Sequence, residues 1–307
     1  MPDSFPSQFV LRGALLLLGF TLLLAPISLT AEETVIRHIK PDVEEEARDA
    51  YFVELLSLAM EQTQESHGPF RLERAPIRMT QSRAMREMRH GRHVDVVWTM
   101  TSRDNESGWL PVRVPLLRGL LGVRVPVVAA EHVNRMEAVT DLSELRRFVA
   151  AQGHDWPDTG ILRANDVRVE TSSDYEALFR MVAGGRVDFL PRGVIEVWAE
   201  EQIYRRYDLA PGNGPLIAYP APIYFFVAPE NHALAERLEA GLLKALDDGS
   251  FLSLFESHPA NRLAISRFLE TDRAVIWLDN PNLTEETPTD EADFWVERVF
   301  EQLSNAP

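Results

Sequence analysis

The feature that most constrains this chain is a rhythm that breaks once and then resumes. From Thr34 onward, short runs rich in β-branched residues alternate with stretches whose apolar residues recur at helical spacing. Thr34–Ile39 predicts a first strand. Tyr51–Glu65 predicts a helix with Phe52, Leu55, Leu56, Ala59 and Thr63 on one face. Phe70–Ala75 predicts a strand, Gln81–Arg89 a helix capped by Thr80, and Val94–Trp98 another strand. Then Arg113–Ala130 presents two extended runs with two Pro and two Gly and no helical stripe. Beyond it the alternation returns. A short helix is expected at Leu142–Phe148, and Phe148–Ala151 leads into a loop. A strand is expected at Val167–Val169. A helix starting at Asp174 carries Tyr175, Leu178, Phe179 and Val182 and ends at Gly184-Gly185. A strand at Val187–Leu190 precedes a further helix, and Ile223–Val227 is an apolar strand followed by a helix lined by Leu234, Leu238, Leu242 and Ala245. Alternation of this kind predicts α/β architecture with mostly parallel sheets, and the interruption predicts a crossover between two lobes.

Composition narrows the function. The chain has 307 residues and no Cys, which excludes a disulfide framework, a thiol nucleophile and a zinc–thiolate site. Its formal net charge of -16 opposes nucleic acid and anionic membranes as partners. At the N-terminus Arg12 precedes an apolar run from Gly13 to Leu24. Pro26 breaks the run, and Leu29-Thr30-Ala31 offers a cleavable end before Glu32. This is the layout of a secretory signal peptide, shorter than the roughly 20 apolar residues of a membrane span. An uncleaved N-terminal anchor is the alternative. The mature protein is expected in the periplasm.

Three stretches carry a resemblance: GRHVDVVWTMTSRD (Gly91–Asp104), LFRMVAGGRVDFLPRG (Leu178–Gly193) and APIYFFVAPENHALAERLEAGLLKALDDGSF (Ala221–Phe251). In this order the chain resembles the periplasmic solute-binding proteins of the type 2 fold, in the family-3 group that includes the amino-acid binders. The resemblance spans most of Thr34 to about Phe268. It implies a signal peptide over 1–31, a first lobe over 32–122, a second lobe over 123–219, a return to the first lobe over 220–279 and a C-terminal extension over 280–307. It also implies a hinged cleft that captures a small polar ligand, anionic or amino-acid-like, for an ABC permease or a membrane sensor. The amino-acid binders place an Arg a few residues beyond a Gly-Met-Thr-like loop. Here Asp104 stands at that position and Arg103 one place early, as in an orphan branch of the group.

Candidate binding residues follow from strand ends, where open α/β sheets hold ligands. In the first lobe these are Trp98, Thr99, Ser102 and Arg103: an aromatic platform, two hydroxyls and a cation. In the second lobe, AAQGHDWPDTG (Ala150–Gly160) sets Gln152, Gly153, Trp156 and Asp158 at a turn. Pro157 suits the first turn of a helix whose free N–H groups favour an anion. The other reading makes Asp155 or Asp158 a helix cap and buries Trp156. Arg192, in FLPRG, offers a bidentate fork, with Glu196 one turn later to meet a ligand amine or to pair with Arg192. Trp98 could equally belong to the core, as Met85 and Met88 are expected to. Thr171-Ser172-Ser173-Asp174 reads as a cap, and the acidic run Asp42–Asp49 as a solvated face.

His154–Asp155 and His90–His93 lack the spacing of a metal site, and no cofactor is implied. No nucleophile elbow, His-Glu-x-x-His or phosphate loop is present, so the chain is read as a binder and not an enzyme. A non-transport sensor or interaction subunit of the same fold is the alternative, and a secreted hydrolase a third. A monomer is expected.

Overall fold

The computed structural model of the chain describes residues 33–39 and 46–304. The N-terminal segment read as a signal peptide, and Asp42–Glu45 of the acidic run, lie outside the described residues. No helix among the described residues is long and apolar enough to cross a membrane.

The first lobe is built from β1 (Thr34–His38), α1 (Glu46–Gln62), α2 (Gln64–His67), β2 (Phe70–Arg74), α3 (Gln81–Arg89), β3 (Val96–Met100), α4 (Arg103–Gly108) and β4 (Leu110–Val112). The second comprises β5 (Val123–Ala129), α5 (Leu142–Leu145), β6 (Val149–Gly153), α6 (Pro157–Ala164), β7 (Arg168–Ser172), α7 (Tyr175–Ala183), β8 (Leu190–Gly193), α8 (Glu201–Tyr207), β9 (Leu209–Pro211) and β10 (Leu216–Ala218). The chain then returns through β11 (Ile223–Val227), α9 (His232–Asp247), α10 (Ser250–Ser257) and α11 (Pro259–Leu269), and ends with β12 (Val275–Trp277) and α12 (Glu297–Ser304).

The two lobes repeat one topology. The first sheet has the order β2-β1-β3-β11-β4, with β1 parallel to β2 and β3, and β11 antiparallel to β3 and β4. In the second lobe β6 pairs in parallel with β7 and bridges in parallel, through Ala150 and Phe189, to the chain entering β8. β8 is antiparallel to β5, which also pairs with β9 and β10. Each lobe thus contains three neighbouring parallel strands, fed by helices, beside one antiparallel strand that arrives from elsewhere in the chain. In the second lobe that strand is β5, within Arg113–Ala130; in the first it is β11, reached by the later return of the chain.

The first lobe's core forms where α1 and α9 pack against each other. The expected stripe of Phe52, Leu55, Leu56, Ala59 and Thr63 is buried there, against Leu238, Leu242 and Ala245. Met85 and Met88 are buried as well, beneath α3. Thr80 precedes α3, but its side chain makes no capping bond. Gly241 sets the approach of α1 and α9: a Cβ at this position would lie 1.9 Å from the Ala59 carbonyl oxygen.

The C-terminus departs from expectation. The return to the first lobe does not extend to 279. β12 adds in parallel to β10, on the second lobe, so the chain crosses between lobes a third time. Trp295 is fully buried, and Val296 and Val299 are buried with it.

Gly241→Ala is expected to destabilise the protein by about 1–3 kcal/mol or more, because backbone rather than a mobile side chain must yield. Equilibrium urea denaturation with far-UV circular dichroism reads the change.

Candidate functional site

A cavity of about 600 Å³ opens between the lobes. Thr99, Ser102 and Arg103 border it from the first lobe, Asp155 and Pro157 from the second, and Asn282 from the C-terminal segment. β3 delivers the first group because its apolar run ends at Met100 and the polar loop after it turns directly into α4. Ser102 caps that helix, its Oγ accepting the Asn105 N–H at 3.1 Å. Its hydroxyl therefore faces the cavity with one lone pair already used. Thr99 is 9% exposed, and Arg103 is exposed. From α3, Arg86 adds a second exposed guanidinium, and Met85 and Trp109 give the cavity an apolar patch.

The remaining candidates stand elsewhere. Trp98 lies in the first-lobe core, stacked on Phe52 with ring centroids 5.4 Å apart, and its Nε1 donates to Asp49 at 3.0 Å. A large ring on a strand that is buried along its whole length packs inward. Gln152 is 1% exposed on β6, and its side-chain oxygen has no hydrogen-bond partner among the described residues. Gly153 ends the strand. Trp156 folds back over it, so closely that a Cβ there would stand 2.4 Å from the indole.

The helix-start reading of AAQGHDWPDTG holds for Pro157, which occupies the first turn of α6. The capping reading of its acids does not hold: Trp156 is the N-cap and no side chain caps the helix. The N–H groups of His154 and Trp156 are bonded to Ser172 and Gly153 carbonyls, which takes them from any anion. Asp155 and His154 point outward, both exposed.

Asp158, Arg192 and Glu196 belong to a buried ladder of alternating charge. Arg124 Nη2 meets Asp158 Oδ1 at 2.5 Å, and Arg124 Nη1 reaches Glu196 Oε2 at 3.5 Å. Arg192 Nη2 lies 3.4 Å from Glu196, and the guanidinium grips both oxygens of Glu200. Three carboxylates face two guanidiniums. The surplus negative charge is met by neutral donors: the Tyr219 hydroxyl donates to Asp158, and those of Tyr175 and Tyr204 donate to Glu200 at 2.9 and 2.6 Å.

Burial by itself would lower both Arg pKa values, but the adjoining carboxylates outweigh it and the net shift is upward. Burial pushes the Tyr219 phenol far above its ordinary value, and Arg124 offsets this only in part. Arg192 sits 5.3 Å from the Trp156 ring and 5.6 Å from that of Tyr175. At 5% exposed and doubly paired, it is not a free clamp for a ligand. Arg124, Tyr219 and Glu200 went unmarked in the sequence. The available signal was a lone Arg inside the apolar run Gly122–Val128.

No family model matches the chain, and no curated protein matches it. Similarity appears at the level of structure. A probable amino-acid ABC transporter extracellular-binding protein from Bacillus subtilis superposes with a TM-score of 0.55 at 13% identity, over 75% of this chain and 100% of that one. An ancestral arginine-binding protein bound to arginine gives 0.51 at 13% identity, over 74% and 99%. The VFT2 domain of Bordetella pertussis BvgS, as a double mutant, gives 0.50 at 16% identity, over 72% and 91%. The fold is the two-lobed type 2 periplasmic-binding fold.

Replacing Arg124 with Met is expected to cost about 3–5 kcal/mol, since Asp158 and Glu196 would be left buried without their cation. Arg192→Met should fall in the same range. Chemical denaturation measures both, and a loss below about 1 kcal/mol would show that water or rearrangement compensates the charges.

Proposed function

We propose that this protein is an extracytoplasmic solute-binding protein that holds a small polar ligand between its lobes. The observation that carries the reading is the cavity itself: it lies at the end of β3 and at the turn after β6, where ligands of open α/β sheets bind. Its polar lining comes from both lobes. A ligand that touches both shifts the hinge equilibrium toward closure by its differential contacts.

The lining carries both signs of charge, Arg86 and Arg103 against Asp104 and Asp155, with hydroxyls from Ser82, Thr99 and Ser102. This suits an amino-acid-like ligand or another small molecule with an anionic group and a donor. The similar structures named for amino-acid transport and arginine binding support that class. Arg103, rather than Arg192, is assigned the clamp. The assigned role is capture without turnover, on behalf of a permease or sensor outside the cytoplasm.

A sensor or interaction subunit is the second reading. The third crossing of the chain between lobes favours it, because a tethered cleft suits a protein read by its shape.

A thermal-shift panel of amino acids, di- and tricarboxylates, polyamines and phosphorylated small molecules separates the two. A ligand at 100 times its Kd adds about 2.7 kcal/mol of stability. The solute-binding reading expects a concentration-dependent rise with one class. Arg103→Ala should weaken that binding roughly 10- to 100-fold, the worth of a charged hydrogen bond. A rise untouched by Arg103→Ala would remove Arg103 from the site. A panel flat throughout would favour the sensor reading.

A further inference from the structure

We propose that the segment from Leu278 to Thr287 is a strap that fastens the two lobes across the mouth of the cavity and limits how far they open. It begins on the second lobe, where β12 lies along β10 and the Leu278 N–H donates to the Ala218 carbonyl at 2.8 Å. The Asp279 backbone then exchanges two hydrogen bonds with Asn165, the buried C-cap of α6: its N–H donates to Asn165 Oδ1 at 3.1 Å, and its carbonyl accepts from Asn165 Nδ2 at 2.8 Å. Asn280 Nδ2 donates to the Pro220 carbonyl at 2.7 Å, on the segment that leads back to the first lobe. Asn280 Oδ1 accepts the Asn282 N–H at 2.9 Å and so fixes the local turn.

The next bonds are to the first lobe. The Asn282 carbonyl accepts the Arg103 N–H at 2.8 Å, and the Pro281 carbonyl accepts Arg103 Nε at 3.2 Å. Thr284 Oγ1 donates to Glu106 Oε2 at 3.1 Å; this carboxylate is buried and also paired with Arg113. Within a few residues the chain is therefore bonded to α6 on one side and to α4 on the other.

Both ends are held. Upstream is β12. Downstream, Trp295 is buried against Gly119, its carbonyl accepts from Arg118 Nη2 at 2.7 Å, and the Val296 N–H donates to the Arg118 carbonyl at 3.0 Å. A strap this short, anchored at both ends, cannot lengthen to follow a hinge motion. Because β12 holds the strap to the second lobe, separation of α4 from α6 must break the Arg103 and Glu106 bonds. The same segment places Asn282 in the cavity wall, so passage into the cavity and release of the strap are linked. That last link rests on the solute-binding reading; the restraint on the lobes does not.

The chain's lack of Cys permits a direct test without ligand. Spin labels at Arg83→Cys on α3 and Arg163→Cys on α6, both exposed, report the separation of the lobes by pulsed electron resonance. Arg103→Pro deletes both strap donors at once. Proline fits the first position of a helix, and Ser102 before it is already extended at φ -158 and ψ 159. Thr284→Val removes the Glu106 bond on the first-lobe side; Asn165→Ala removes the bonds to α6 but leaves β12 on β10; Arg103→Ala keeps the N–H bond to Asn282.

The strap predicts a narrow distance distribution in the labelled parent. It predicts a broader one, displaced to longer separations, in Arg103→Pro and in Thr284→Val, with Asn165→Ala and Arg103→Ala near the parent. Superimposable distributions in parent and variants, with native circular dichroism, would overturn it. If Arg103→Pro fails to fold, Thr284→Val decides alone. A flat ligand panel alongside a broadened distribution would sink the solute-binding reading and leave the strap standing.

Discussion

The second lobe and its join to the first depend on the guanidinium of Arg124. It sits on β5, the strand by which the chain enters the second lobe. Through Nε it donates to the Tyr219 hydroxyl at 3.0 Å, just beyond β10, the strand by which the chain leaves. Through Nη2 it pairs with Asp158 in the first turn of α6. Entry strand, exit strand and cleft-side helix are thus bound to one buried cation. Such a pair is weak evidence of net stabilisation, because desolvating the ions offsets much of their attraction. What it supplies is geometry. With the carboxylates in place the guanidinium has one arrangement that satisfies every charge, and the tyrosine hydroxyls complete the surplus carboxylate's bonds without adding charge.

The rigidity of this unit determines where motion can occur. Residues on β5, β10 and α6 are held together, so hinge movement must fall in the links outside them: Arg113–Gly122 on the way in, and Pro220–Pro222 on the way out. Two links of this kind permit rotation. The C-terminal chain adds two more, from α11 into β12 and from β12 back to α4; the latter is bonded to α4 and α6. Hinge freedom and strap attachment therefore oppose each other, and the lobe angle reflects the balance of a few hydrogen bonds.

Much of the fold was legible because burial writes itself into spacing. The stripe on α1, the β-branched run of β3 and the glycines that end α7 report local geometry and exposure, and the structure bears them out. The candidate site was legible only in part. Thr99, Ser102 and Arg103 border the cavity, a placement legible because the position of a loop after a strand follows from local pattern alone. Arg192 was placed correctly at a strand end, but nothing local reveals that Glu200 faces it or that Arg124 lies behind Glu196. Arg124 and Glu196, 72 residues apart, meet only because β8 pairs with β5. Asp158 was misassigned for the same reason, its partner being on another strand. The path of the C-terminus was illegible in a different way. Its first-lobe bonds are accepted largely by backbone carbonyls, which every residue carries.

Arg103 joins the two halves of the proposed function. Its N–H and Nε are committed to Asn282 and Pro281, while the outer nitrogens of the guanidinium remain beside the cavity. A ligand anion that drew the guanidinium inward would compete with the Nε bond first and leave the N–H bond intact. The strap would lose its side-chain contact and stay held through the N–H bond. A guanidinium serves this dual duty because its donors fan out in a fixed plane, so that one edge can hold a carbonyl while the other meets an anion. Lysine at this position would present a single charged nitrogen to both partners and could not divide its loyalties by geometry.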